Sequence, residues 1–328
     1  MLDSILESLH VVDLPTKTNF RGVTSREVAL FQGPAGWGEF SPFLEYSPKE
    51  SVPWLVSAVE AALISPPTPL RDSIQVNATL PAINGDAEIA EVLSWYPGCT
   101  TVKIKVGGNL IQDLDRIGSV RTLAPDIKIR IDVNANWSVD EAFRAIGAIS
   151  EIGSIEYVEQ PCSTLDELRE LKRKLPPTVL IAGDEVVRKA SHPMELNLAG
   201  AVDIVILKVA PLGGIKRSLE IAKKHSLPTV VSSALESAVG ISYGLALASA
   251  TLESQYACGL ATGALLRADV AASFIAQGSM KVGVVEPSTQ LLASLAVSQE
   301  RLDWWRGRIR DTWLAGSQQW VEREGWAW

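Results

Sequence analysis

The chain has too few cysteines for a disulfide framework. Cys99, Cys162 and Cys258 are scattered and odd in number, which also leaves no zinc knuckle. It has no excess of positive charge: 30 lysines and arginines stand against 38 acids, for a formal charge of −8. That balance argues against a nucleic-acid surface, although it leaves room for a local cationic pocket. No uninterrupted apolar run reaches about 18 residues, so no membrane-spanning helix is expected. The opening residues, Met1 to Glu7, lack the basic flank and apolar stretch of a signal peptide. No internal repeat or low-complexity run appears. The expectation is a reduced, cytoplasmic, soluble protein, monomeric or homo-oligomeric, that acts on a small molecule and has neither nucleic acid nor membrane as a partner.

What is present is ordinary globular material, 47% hydrophobic and 21% charged, in a chain of 328 residues that is too long for one small core. Residues 1–73 read as a unit of their own. Glu27 to Gln32 and Trp37 to Phe40 form two strands across a Gly33-Pro34-Ala35-Gly36 turn, and Pro48 starts a helix that runs to Ile64. The polar, glycine-ended stretch from Thr16 to Gly22 reads as a mobile loop. From Ser73 the pattern alternates. Strand-like runs lie near Ile74–Ala78, Thr101–Val106, Ile127–Ile131, Ile155–Val158, Val179–Ala182, Val202–Leu207, Thr229–Val231 and Ala257–Leu260. Amphipathic segments such as Leu110–Leu123, Val139–Ile152, Leu165–Leu175 and Ile215–His225 separate them.

This is the pattern of a (β/α) barrel spanning residues 74–277. The segment after the last strand is not helical in pattern, so the expected architecture is seven strand-helix units and a closing strand, (β/α)7β. The tail, 278–328, holds six of the ten tryptophans, and Leu302, Trp305, Ile309 and Trp313 make one apolar helical stripe. That stripe is expected to pack on the N-terminal unit.

Chemistry gathers at the strand ends. In Val102-Lys103-Ile104-Lys105-Val106 the two lysines share a face, before Gly107-Gly108 opens a loop. A lone pair of this kind is most often a solvated edge strand. Here, however, Ile129-Arg130-Ile131-Asp132-Val133-Asn134 delivers Asp132 and Asn134 to one face, Glu159 precedes a strand-breaking Gln160-Pro161, and Gly183 precedes Asp184-Glu185. Singly, such acids are most often helix caps or turn residues. In series, on barrel strands three, four and five, Asp132, Glu159 and Asp184 converge at the mouth and repel one another unless a cation neutralises them. An all-oxygen set with room for water and substrate suits Mg²⁺ better than Ca²⁺. Lys208 closes an apolar strand six, so Lys105 and Lys208 are expected on opposite walls. A carboxylate substrate between them would have its α-proton acidified by the metal and removed by a lysine base, with the cationic Lys103 favouring the neutral form of Lys105.

At these residues the chain resembles the enolase superfamily, in particular its muconate-lactonizing subgroup, with lysines on strands two and six. Sites of that superfamily serve as a standard example of pKa tuning. The resemblance implies a modified TIM barrel with an α+β capping domain built from the N-terminal segment and the C-terminal tail. Gly36-Trp37-Gly38-Glu39-Phe40-Ser41-Pro42 and the strand-seven segment Ser232-Ser233-Ala234-Leu235-Glu236-Ser237 are similar to those of the o-succinylbenzoate synthase family of menaquinone biosynthesis.

That likeness implies dehydration to a benzoate. Asp132, Glu159 and Asp184 would bind Mg²⁺, Lys105 would be the acid-base residue, and Lys208 would stabilise the anion. Lys103 belongs with them, and Ser233, Asn134 and Arg21 are candidate substrate contacts. Strand seven has no histidine base, and Ala261 stands where an aspartate is often found. An N-succinylamino acid racemase or a cycloisomerase would use the same metal and lysines. A barrel retained only as a binding module would have lost some ligand or lysine, and none is missing.

Overall fold

Short apolar runs ending in charge become the staves of a barrel. In the computed structural model, which describes residues 1–20, 22–252 and 255–328, seven parallel strands lie side by side in chain order. They are Ala78–Leu80, Thr101–Lys105, Lys128–Asp132, Val158–Glu159, Ile181–Gly183, Ile204–Leu207 and Thr229–Val231. Cys258 and Gly259 make the closing strand, bridging in parallel to Val76 on one side and Ser232 on the other. The Gly259 amide donates to Val231 at 2.8 Å and the Asn77 amide to Cys258 at 2.9 Å, so the sheet has no open edge there. The fold is the (β/α)7β modified barrel.

The first strand departs from the sequence expectation. Ser73–Gln75 pairs antiparallel with Ser279–Lys281, Val76 bridges the closing strand at Cys258, and pairing with the second strand begins only at Ala78. Alternation cannot tell which of two partners a β-prone run will take. Between strands five and six no full helix forms. The turn Glu185–Arg188 and a 3₁₀ turn at Pro193–Glu195 fill that place.

Elsewhere the helices start where side-chain caps permit. Ser138 and Thr164 each form a reciprocal capping box with the glutamate three residues on, and Asn109 caps Leu110–Leu123. Val102, Ile104, Ile129 and Ile131 face this helical layer and are buried with Ile117 and Ile146. Their strand neighbours Lys103, Lys105, Arg130 and Asp132 alternate to the other face. Below the mouth, Arg130 is fully buried between Tyr157 and Tyr256 and pairs with Glu156 at 2.5 Å.

The cap is a three-stranded antiparallel sheet, His10–Phe20, Val23–Gly33 and Gly36–Phe40, backed by the helix Pro48–Leu63. The stretch expected to be a loop from Thr16 is strand as far as Phe20, although its pairing slips between Pro15 and Phe20. Thr16 to Asn19 thus belong to a strand rather than to a free connector. The tail helix Gln299–Thr312 lays Trp305 and Ile309, both fully buried, onto Phe31, Phe40 and Trp54 of the cap. Phe40 and Trp305 meet edge to face at 5.8 Å. Among the described residues no helix is long and apolar enough to cross a membrane.

Candidate active site

Register sets the site. Lys105 pairs with Asp132 and Asp132 with Glu159 across three adjacent strands, so these side chains emerge at one level of the mouth. Asp184 follows the fifth strand and Lys208 the sixth. Asp132, Glu159 and Asp184 are all fully buried.

Each acid is met by a lysine. Lys105 Nζ lies 2.5 Å from Asp132 Oδ2, Lys103 Nζ lies 3.2 Å from the same oxygen and 2.9 Å from Glu159, and Lys208 Nζ lies 2.6 Å from Asp184 Oδ2. Asn134, held at a left-handed φ of 52°, accepts from Lys105 at 3.0 Å and donates to Glu185 at 3.3 Å. Lys103, Lys105 and Lys208 line one cavity together with Ser233, Thr262 and Arg188, and the cap closes it with Phe20, Phe43 and Trp54. The Lys105 ammonium lies 5.5 Å from the centre of the Phe20 ring.

The electrostatics follow from burial and pairing. Burial alone would raise the Asp132 carboxyl, but Lys105, Lys103 and Lys208 hold it far below the carboxylate range. Asp184 is likewise opposed by burial and held at about 2 by Lys208 and Arg188. Burial favours a neutral Lys103, yet Glu159 and Asp132 hold its proton more tightly than in water. Glu159 alone is pushed up, to about 7, by burial and by the charges of Asp132 and Asp184. It is an acid short of positive charge.

The structure therefore brings Lys103, Lys105, Asp132, Asn134, Glu159, Asp184 and Lys208 together. Ser233 joins them at the cavity wall, where its hydroxyl meets Gly259 O at 2.8 Å and Thr262 Oγ1 at 2.7 Å. The helix that follows in that segment is capped by Ser237. Arg21 lies outside the described residues.

Other residues of the site were not anticipated. Buried Gln160, at φ 40°, accepts from the Asp184 amide at 2.9 Å and the Val186 amide at 3.2 Å, fixing the Asp184 turn. Arg188 reaches Asp184 Oδ1 at 3.0 Å, Glu185 at 2.8 Å and the Tyr46 hydroxyl of the cap at 3.2 Å. The Gln-Pro break after Glu159 was the only local signal for Gln160, and what sets Arg188 apart is its bond to Tyr46 of the cap, which is distant in sequence.

Comparison with known proteins decides the family. Residues 87–283 match the model of the enolase C-terminal domain-like family, and residues 11–62 match the enolase N-terminal domain-like family. The chain belongs to the enolase superfamily. Over 313 residues, 94% of either chain, it is 47% identical to an o-succinylbenzoate synthase of Mycobacterium marinum. Two solved structures share the fold at low identity. One is a muconate lactonizing enzyme of Pseudomonas fluorescens complexed with muconolactone, with a TM-score of 0.74, 19% identity, and 88% of this chain and 98% of that one covered. The other is a dipeptide epimerase of Enterococcus faecalis complexed with Mg and a dipeptide, with a TM-score of 0.69, 20% identity, and 85% and 97% covered.

Enzymes of this superfamily use a divalent metal, and the donor set here suits one. Among the described residues, no three His, Cys, Asp or Glu side chains are gathered closely enough to grip an ion as they stand, because lysines occupy the carboxylate oxygens. Asp132, Glu159 and Asp184 are nevertheless all fully buried, and beside Asp184 the Glu185 Oε2 is buried with no hydrogen-bond partner among the described residues. Hard oxygen donors short of positive charge are the chemistry that a small divalent cation satisfies.

Proposed function

We propose that the enzyme is an o-succinylbenzoate synthase, a cytoplasmic hydro-lyase that converts 2-succinyl-6-hydroxy-2,4-cyclohexadiene-1-carboxylate into 2-succinylbenzoate and water. The observation that carries this reading is the pairing of Lys105 and Lys208 in one cavity beside three buried acids. The relatives of that name, alike over nearly the whole chain, support it. Asp132, Glu159 and Asp184 would hold Mg²⁺, which supplies positive charge to the substrate carboxylate and so acidifies its α-proton.

The chain's own residues then account for the proton movements. With Asp132 engaged as a metal ligand, Lys105 would be left without its carboxylate partner, and the neighbouring cation Lys103 would disfavour a second full charge, so Lys105 would serve as base. It takes the α-proton and returns it to the hydroxyl on the same face, which leaves as water while the ring becomes aromatic. Lys208 would stabilise the enediolate anion from the other wall. Phe20, Phe43 and Trp54 cover the cavity and exclude bulk water. Ser233 at the cavity wall and Asn134, through its bond to Lys105, would help to orient the substrate.

Both lysines line the same cavity, so an N-succinylamino acid racemase, with one lysine working on each face, is the second reading. One experiment separates the two. The purified protein is followed by absorbance with the cyclohexadiene substrate and Mg²⁺, with and without EDTA, beside N-succinyl amino acids under racemising conditions. Rapid aromatisation that EDTA abolishes is expected. Racemisation without aromatisation would move the function to the second reading.

A further inference from the structure

Two segments that drew attention in the sequence, Gly36 to Pro42 of the cap and Ser232 to Ser237 of the barrel, meet in space. Glu39 is buried, and its carboxylate accepts from Ser237 Oγ at 2.6 Å, the Ser237 amide at 3.2 Å, the Gly240 amide at 2.8 Å and Ser41 Oγ at 2.7 Å. A residue of the cap thus serves as the anionic cap of the barrel helix Ala238–Ala250. Buried Arg26, on the adjoining cap strand, donates from Nε to Leu235 O at 3.2 Å and from its terminal nitrogen to Ser41 O. Leu235 stands at φ +63°, a strained position for a branched side chain that its surroundings must hold. The fit is close: a Cβ added at Gly240 would lie 2.7 Å from Glu39 Oε2.

What these bonds hold is a wall of the active-site cavity. Ser232, Ser233, Ala234 and Leu235 line it, whereas Glu39 and Arg26 do not. We infer that Glu39 and Arg26 are positioning residues, the cap's half of a latch that sets the Ser233–Leu235 wall against the substrate. Through them, substrate binding depends on how the cap is seated. Glu39→Gln keeps the size of the side chain but places an amide NH₂ among donors, so the latch loosens without a cavity being made.

The control is Glu27→Gln. Glu27 neighbours Arg26 in sequence, but its carboxylate takes Arg301 at 2.7 Å and Trp305 Nε1 at 2.5 Å, so it fastens the tail and not the wall. The test on the full-length enzyme combines steady-state kinetics of the dehydration with hydrogen exchange of the backbone amides from 232 to 240. Glu39→Gln is expected to raise KM about tenfold with kcat little changed, and to speed exchange in that segment. Glu27→Gln, which keeps Trp305 and its packing in place, is expected to lower the melting temperature while leaving KM and that exchange, both measured well below it, at wild-type values.

Should Glu39→Gln fail to fold, Ser237→Ala, which removes the 2.6 Å bond to Glu39 together with the 3.2 Å cap bond from the Val239 amide, carries the same test. Wild-type KM and exchange in the latch variant, or equal changes in the control, would overturn the inference. Its kinetic arm rests on the dehydratase reading. A wild-type enzyme that does not aromatise the substrate removes that reading, whereas unchanged exchange at 232–240 removes this one.

Discussion

At the level of single residues the site is a balance of like charges, and each removal has a direction. In Lys105→Ala the Asp132 carboxylate keeps Lys103 at 3.2 Å, so no buried acid is stranded and the fold should persist. Loss of a general base costs about 10² to 10⁴ in rate, so aromatisation should fall by at least that factor at an unchanged melting temperature. Retained turnover would remove Lys105 from the mechanism. Asp184→Asn leaves an oxygen for Arg188 but deletes the charge that would face the metal. Half-maximal activation should then need at least roughly tenfold more Mg²⁺, read by titrating activity and ion binding together, and an unshifted titration would reject Asp184 as a ligand. The lysines and acids of the site were legible in the sequence because a strand end is a local address: alternation fixes the face, and the break in pattern fixes the mouth. Gln160, Arg188 and Glu39 were not, since what defines them is a partner brought near only by closure of the barrel or docking of the cap.

Among the elements, the start of helix Ala238–Ala250 concentrates buried acid. Glu39 reaches it from the cap, Glu236 precedes it, and Asp269 accepts from the Ala238 amide at 3.0 Å. Burial pushes Glu236 and Asp269 up to about 7 and raises Glu39 as well. A carboxyl that binds its proton more tightly folded than unfolded favours the folded state at low pH. That advantage is lost as pH rises from the unfolded value, 3.8 for Asp269, through the folded one, about 7. Asp269→Asn retains an acceptor and cannot ionise. Chemical denaturation at a series of pH values should show the variant gaining on the wild type as pH rises across that window, and a constant difference between them would contradict the shift. This helix also shows where pattern reading stopped. It is apolar on nearly all sides, with Gly240, Ile241, Leu245 and Leu247 all buried, so it carries no amphipathic stripe. The helices with one wet face, such as Val139–Ile152, were plain from spacing alone.

Over the whole molecule, the cavity is built from two layers that the chain assembles from both of its ends. The barrel supplies charge, and the cap supplies Phe20, Phe43 and Trp54 above it. The tail helix holds the cap in place. Arg308 donates to Phe43 O at 2.7 Å and Tyr46 O at 3.1 Å, pinning from outside the same turn that Arg188 ties from within through the Tyr46 hydroxyl. Trp305, fully buried, packs edge-on to Phe40 and donates to Glu27 at 2.5 Å. Trp305→Ala would open a cavity in that joint and strand the Glu27 contact, at a cost of about 3–5 kcal/mol. The barrel core is a separate cluster, running from Ile74 through Val205 to Leu260, so most of its packing survives the change. The expected outcome is a cap that loosens before the barrel does. KM should rise and activity should fall at temperatures where far-ultraviolet circular dichroism still reports the barrel's helices. A single transition, with activity and ellipticity lost together, would mean that cap and barrel unfold as one unit.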